Sequence, residues 1–237
     1  MHAAAVAQRK QLSAIQVAAL RQRRAAVIVI EGYDASGKGG VIRELTYAMD
    51  PRGFRLHPIG APSALEAFRP FLWRFWSRLP EPGQLAIFDR SWYGRVLVER
   101  VEHGLSDTDY AQAYTAIDAF EATLLDQQIP VVKCFLDIPA AVQRARLLRR
   151  AQVPEKRWKL TVDDLNAWAH REAYEQAVEV MLTRPQRAPW TRVDARHKDQ
   201  ARAQVLSTVV EALSAWLDES ITAFQPGVSA RLHELDP

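Results

Sequence analysis

Three stretches of the chain are almost unbroken in apolar residues yet too short for helices: AAVIVI within residues 25–31, QLAIFD at 84–89 and IPVVKCFLD at 129–137. Runs of that length, rich in Val and Ile, fit strands of a parallel sheet buried on both faces. FRLHPI (54–59) and WTRVDA (190–195) complete a set of five predicted strands. The intervening segments read as helices at 8–23, from about Lys38 to Met49, and at 63–78, 91–103 and 107–128. Others are predicted from about Pro139, from Thr161, and over 198–218. Asp50-Pro51 stops the second helix. Pro70 is expected to break or kink the aromatic helix SALEAFRPFLWRFWSR. Pro139 suits a first helical position and Thr161 an N-cap. Strands alternating with helices predict an α/β fold, a five-stranded parallel sheet covered on both faces. No repeat or long linker divides the pattern, so residues 1–237 read as one domain. It has an N-terminal helix at about 8–23, a basic lid at about 139–160, and a peripheral tail at about 220–237.

The 237 residues suffice for one sizeable core, and 48% hydrophobic with 25% charged residues suits a globular chain. No apolar run approaches the ~20 residues needed to span a bilayer. The first residues, MHAAAVAQRKQLSAIQ, interrupt their apolar run with Gln8, Arg9 and Lys10, unlike a secretory signal. Cys134, the single cysteine, excludes an intrachain disulfide and a cysteine-based metal site, and its setting reads as core. The expectation is a cytoplasmic protein with no membrane association. A formal charge of +3 does not by itself imply a polyanionic partner. Its distribution changes that picture: between Arg144 and Lys159 lie seven Lys or Arg residues and one acid, Glu155.

Candidate chemistry starts directly after the first strand. EGYDASGKGG (31–40) has the spacing Gly32-x-x-x-x-Gly37-Lys38 of a phosphate-binding loop, between a strand and a helix. Its glycines let backbone N–H groups turn inward around phosphate oxygens, so Gly32, Ala35, Ser36, Gly37, Gly39 and Gly40 are candidate phosphate contacts. Lys38 supplies a point charge to a transferring phosphoryl group. Gly39 stands where a Ser or Thr metal ligand is usual. Asp34, inside the loop, can replace that hydroxyl for magnesium, or for manganese in its place; Ser36 is a weaker candidate. The bland alternative for Asp34 is a turn aspartate bonding its own backbone.

A second motif, IFDRSWYGR (87–95), puts Asp89 at the carboxyl end of a strand, where a second metal-binding aspartate belongs. Arg90 and Arg95 follow as phosphate-binding guanidiniums. A strand-terminal aspartate merely paired with its neighbour is the bland reading here. The basic segment follows the fourth strand, where nucleotide kinases of this topology carry a mobile lid. Arg146, Arg149 and Arg150 are therefore candidate contacts for a polyanion longer than one triphosphate. Trp92 and Tyr93 are among the aromatic candidates for a nucleobase slot, which are too many to rank. The seven tryptophans read as core and subunit contact rather than base-stacking platforms, and FLWRFW has the clustering of buried helix residues.

EGYDASGKGG, FLWRFW, IFDRSWYGRVLVERVE, WKLTVDD and APWTRVDA together resemble the polyphosphate kinase 2 family over about residues 15–215. DRSWYGRVLVERVE is most similar to its polyphosphate:AMP phosphotransferase branch. The resemblance implies a three-layer α/β/α fold with a helical lid. The implied activity moves a phosphoryl group between inorganic polyphosphate and a nucleoside mono- or diphosphate with magnesium. It implies catalytic roles for Asp34, Lys38, Asp89 and Arg90, metal binding by Asp34 and Asp89, and a homodimer or homotetramer. Two segments depart from the family pattern: 131–160, and DARHKDQAR near the last helix. The rival readings are an ATP-dependent nucleotide or small-metabolite kinase, which needs no such basic lid, and a nucleic-acid-binding module. The latter leaves Asp34, Lys38 and Asp89 unexplained, so no nucleic acid partner is expected.

Overall fold

The computed structural model describes residues 2–217 and Arg231. The sheet contains β1 (Ala26–Gly32), β2 (Phe54–Pro58), β3 (Leu85–Asp89), β4 (Val131–Asp137) and β5 (Trp190–Asp194). Their order is β2-β3-β1-β4-β5, with every pairing parallel. β1 is central, and Val27 to Ile30 are wholly buried, which is why the strand tolerates no alternating polar residue. The helices are α1 (His2–Gln22), α2 (Lys38–Tyr47), α3 (Ala64–Ala67), α4 (Trp73–Trp76) and α5 (Val98–Glu102). They continue with α6 (Asp107–Asp126), α7 (Ala140–Gln152), α8 (Val162–Ala169), α9 (Arg171–Thr183) and α10 (Lys198–Ser214). Helices α1, α2 and α10 pack together on the sheet, and α6 with the turn after β3 covers the other face, making three layers.

Register is what builds the site. Ile30 lies beside Asp89 on one side and Cys134 on the other, so the three parallel strands end at the same edge, β3 at Asp89 and β1 and β4 two and three residues further on. The loop after β1 and the segment after β3 therefore emerge at one edge, the carboxyl edge, where parallel sheets hold ligands.

Several predicted helices are shorter than the pattern suggests. The aromatic stretch 63–78 is two single turns, α3 and α4, on either side of Pro70, and only Phe75 of FLWRFW is buried. Residues 91–103 start as a tight turn, Trp92–Arg95, and become α-helical only at Val98. The predicted loop VPEKRWKL is mostly a 3-10 turn, Pro154–Lys159. Thr161 is the N-cap of α8, forming a capping box with Asp164, but the helix breaks at His170 and α9 follows. The N-terminal helix begins before residue 8, at His2. The predicted tail lies outside the described residues apart from Arg231.

Gly32 is where sheet and loop meet, and its φ of +149° disfavours any side chain. A Cβ there would stand 2.6 Å from the Leu136 carbonyl oxygen and 2.9 Å from the Leu136 amide nitrogen of β4. Gly32→Ala is expected to lower unfolding free energy by about 3 kcal/mol, combining backbone strain with overpacking. Urea unfolding followed by circular dichroism measures it, and an unchanged midpoint would contradict the close approach.

Candidate active site

The loop after β1 turns through positive φ at Ala35 (+62°) and Gly37 (+119°). The Ser36 amide donates to the Tyr33 carbonyl at 3.1 Å, and the Gly40 and Val41 amides to the Gly37 carbonyl at 2.9 and 3.2 Å. Gly37 is thus the N-cap of α2, and the first helical amides have no helical partners, which favours an anion at that end. The position a Cβ would take on Gly39 has open space around it. The Ser36 hydroxyl is buried with no hydrogen-bond partner among the described residues, the kind of orphan that a bound oxyanion removes.

Lys38 folds back onto its own loop. Its Nζ donates to the Gly32 carbonyl at 2.7 Å and the Tyr33 carbonyl at 3.4 Å, and stands 3.8 Å from Asp34 Oδ1. The same Asp34 oxygen accepts from Arg90 Nη2 at 2.9 Å. Lys38, Asp34 and Arg90, 56 residues apart at the extremes of the last contact, therefore meet at the carboxyl edge. Asp34 is no mere turn aspartate: its side chain joins the first motif to the second.

Arg90 is reached through a constrained backbone. Its φ is +67°, a left-handed conformation that costs a non-glycine residue about 1–3 kcal/mol. Its amide donates to the Ile30 carbonyl at 3.1 Å, and the Asp89 carbonyl accepts from Ile59 at 2.9 Å. Burial opposes the Arg90 charge, but Asp34, Glu31 and Asp89 outweigh it and hold the guanidinium pKa above its ordinary value. Beneath them lies Glu31, which the motif reading passed over although it opens the stretch EGYDASGKGG. It is buried, and Ser91 Oγ donates to its Oε1 at 2.9 Å. Burial pushes its carboxyl pKa up, while Lys38, the Ser91 hydrogen bond and Arg90 draw it back.

The remaining candidates divide. Arg146 reaches the loop from behind: Nη1 donates to the Ala35 and Ser36 carbonyls at 3.1 and 2.9 Å, and Nη2 to the Ala195 and Arg196 carbonyls at 2.9 and 3.0 Å. In this arrangement Arg146 braces the loop against the corner after β5 and has its donors engaged by backbone. Arg150 likewise bonds the Lys159 carbonyl at 2.9 Å and Asp164 at 3.2 Å, bracing the basic segment. Arg95 pairs with Glu99 and lies over Phe71. Arg149 is exposed on α7. The structure adds two cations that sequence reading missed, Lys198 and Arg202 at the start of α10. Lys198 Cγ is 4.0 Å from where a Gly37 Cβ would stand, and the Arg202 guanidinium 3.0 Å from the Gly40 equivalent. Burial, then the charges of Arg146, Lys156, Arg149 and Arg202, holds the Lys198 pKa below its ordinary value. DARHKDQAR carries both residues, but only the fold shows that this helix starts beside the loop. Trp92 and Tyr93 are 0% exposed and belong to the core, where the tryptophans are expected, and both drop out of the base-slot candidates, because the turn after β3 packs inward against α6. A cavity of about 750 Å³ opens at the carboxyl ends of β4 and β5, lined by Tyr33, Asp137, Arg171, Arg192 and Arg196 among others.

The residues fit a divalent cation of the hard, oxygen-preferring kind. Among the described residues no cluster of three or more His, Cys, Asp or Glu side chains forms a protein cage. Magnesium does not require one: it takes one or two carboxylates and completes its shell with phosphate and water. Asp34 in the loop and Asp89 at the end of β3 are such carboxylates.

A five-stranded parallel sheet of this order, with a glycine loop between β1 and α2 and an Asp-Arg pair at the end of β3, defines the phosphate-loop class of α/β proteins. The model of the family described as polyphosphate kinase 2 matches residues 1–220, and the chain belongs to that family. A polyphosphate:AMP phosphotransferase of Pseudomonas syringae pv. tomato is 46% identical over 203 residues, covering 82% of this chain and 40% of that protein. An ADP-polyphosphate phosphotransferase of Pseudomonas aeruginosa is 38% identical over 189 residues, covering 79% of this chain and 62% of that protein. The chain thus spans well under two thirds of the first of these relatives. The crystal structure of polyphosphate kinase 2 from Arthrobacter aurescens superposes with a TM-score of 0.89 at 31% identity, over 98% of this chain and 84% of that one. No helix among the described residues is long and apolar enough to cross a membrane.

The placement of Arg146 has a direct test. Arg146→Lys keeps the charge but not the planar fork that spans four carbonyls. A loss of about 1–3 kcal/mol in unfolding free energy is expected, the range for hydrogen bonds from a charged donor. Chemical denaturation measures it. Unchanged stability with a loss of activity alone would instead put the guanidinium on substrate.

Proposed function

We propose that the chain transfers a phosphoryl group between inorganic polyphosphate and a nucleoside mono- or diphosphate, AMP or ADP favoured, with magnesium. The observation that carries the reading is the shared Asp34 oxygen, held by Lys38 and Arg90 at the mouth of a phosphate loop. It brings two cations and a carboxylate to the place where a phosphate chain on the α2 N-terminus would lie. Family membership and the names of the relatives agree with it, and the cations of α7 and α10 extend the positive surface beyond what one phosphate group needs.

In the forward direction the bond between the terminal phosphorus and its bridging oxygen breaks, and a bond forms from a phosphate oxygen of the nucleotide. Lys38 exchanges the Gly32 and Tyr33 carbonyls for oxygens of the transferred group, and Arg90 neutralises charge on its flank. A side-chain base is unnecessary, because a nucleotide's terminal phosphate has a second pKa of about 6 and is largely ionised at neutral pH. Orientation and preset charge then supply most of the rate. Magnesium on Asp34 and Asp89 would supply charge neutralisation between the two polyanions.

The deciding experiment is a panel of AMP, ADP, GMP and GDP with either long-chain polyphosphate or ATP as donor, products separated by chromatography. Turnover with polyphosphate is expected; turnover with ATP alone would favour the ATP-dependent kinase. Lys38→Ala is expected to lose about 10²–10³ in rate, the effect of removing one donor preset for transition-state charge, while keeping the wild-type melting curve.

Asp34→Asn and Asp89→Asn should each raise the magnesium concentration giving half-maximal rate. Magnesium titrations of both variants check this. An unaltered requirement in Asp34→Asn, with reduced stability, would leave that side chain only its ion pairs with Lys38 and Arg90.

A further inference from the structure

Behind the second motif lies a buried lysine that the proposed chemistry does not use. The Lys133 side chain on β4 is 0% exposed. Its ammonium donates to Tyr93 Oη at 2.6 Å, Glu121 Oε2 at 2.7 Å and Gln186 Oε1 at 2.8 Å, which engages all three of its donors. These partners converge on the segment that follows Arg90. Tyr93 Oη itself donates to Gln186 Oε1 at 2.7 Å, and the other Glu121 oxygen accepts from Trp92 Nε1 at 3.0 Å. One residue earlier, Ser91 Oγ donates to Glu31 and accepts from the Tyr93 amide at 3.3 Å. Three consecutive side chains, Ser91, Trp92 and Tyr93, are thereby tied to β1, α6 and β4.

Filling space does not require such a group. A buried ion pair is often replaceable by apolar residues of similar volume without loss of stability. Hydrogen bonds, by contrast, fix direction, and direction is what the neighbouring Arg90 needs. Arg90 sits at φ +67°, a conformation that persists only where the surroundings over-determine it. We propose that Lys133 is a positioning residue. With Glu121 as its counter-charge it locks Trp92 and Tyr93, and through them keeps Arg90 left-handed with its guanidinium on Asp34. The kinetic consequence rests on the phosphoryl-transfer reading; the structural one does not.

The double variant Lys133→Met/Glu121→Gln removes the pair without stranding a buried charge and keeps an acceptor for Trp92 Nε1. Tyr93→Phe removes only the hydroxyl and carries the test if the double variant fails to fold. Hydrogen–deuterium exchange of the full chain is read well below the unfolding midpoint. Amides of residues 89–97 are expected to lose roughly tenfold or more in protection in the double variant, and less in Tyr93→Phe, with β1 and β4 unchanged. In the polyphosphate assay, kcat should fall by about 10–100-fold with KM held within about twofold, since a misplacement of about 1 Å can cost about 10² in rate. Adding Arg90→Ala to the double variant should cost little more than Arg90→Ala alone, because both act through one group. Wild-type protection of 89–97, protection lost evenly over β1, β3 and β4, or strictly additive losses with Arg90→Ala would each overturn the positioning role. A wild-type chain that turns over none of the panel would sink the functional reading instead, and the exchange result would still decide the role of Lys133.

Discussion

One carboxylate shared by two cations is the constraint around which the rest is arranged. Asp34 lies on a loop and Arg90 on the far side of a strand pairing, so their contact requires β1 and β3 to end at the same edge and both following backbones to turn sharply. That requirement explains the positive φ values at Gly32, Ala35, Gly37 and Arg90, which cluster at one edge of the sheet. Such turns are unfavourable locally and have to be held by neighbours. Here the neighbours are Arg146 behind the loop, Glu31 beneath Ser91, and the side chains that hold Trp92 and Tyr93. Charge display at the surface thus depends on polar contacts in the interior.

Where local chemistry decides the structure, the sequence was a good guide. β1 and β4 are legible because a strand buried on both faces cannot alternate, and the loop because Gly32 and Gly37 need conformations that other residues resist. Asp34 stood out because it occupies a loop that lacks its usual hydroxyl at Gly39. Lys38, Asp34 and Arg90, chosen from two separate motifs, are brought into contact.

Long-range geometry was not legible. Arg146 looks like any lid arginine in RARLLRR, because its acceptors are main-chain carbonyls, two of them 111 and 110 residues away. Nothing in those acceptors' side chains announces the contact. Tyr93 sits in a segment whose composition reads as helix, and the placement of α6 over β4 is what makes it core. FLWRFW shows the reverse error: its apolar clustering suggests burial, yet Pro70 splits the stretch and leaves Trp76 43% exposed. Lys198 and Arg202 become neighbours of the loop only because strand order places β5 and α10 beside β4 and α2.

The posture of Lys38 has a thermodynamic consequence. With its ammonium on the Gly32 and Tyr33 carbonyls, Lys38 is not left as a stranded charge. On the proposed reading a phosphate group would displace these hydrogen bonds, and only the difference between old and new contacts would contribute to affinity. Saturating ligand would then stabilise the fold only through that net affinity, and the rise in melting temperature would be smaller than a count of contacts in the complex suggests.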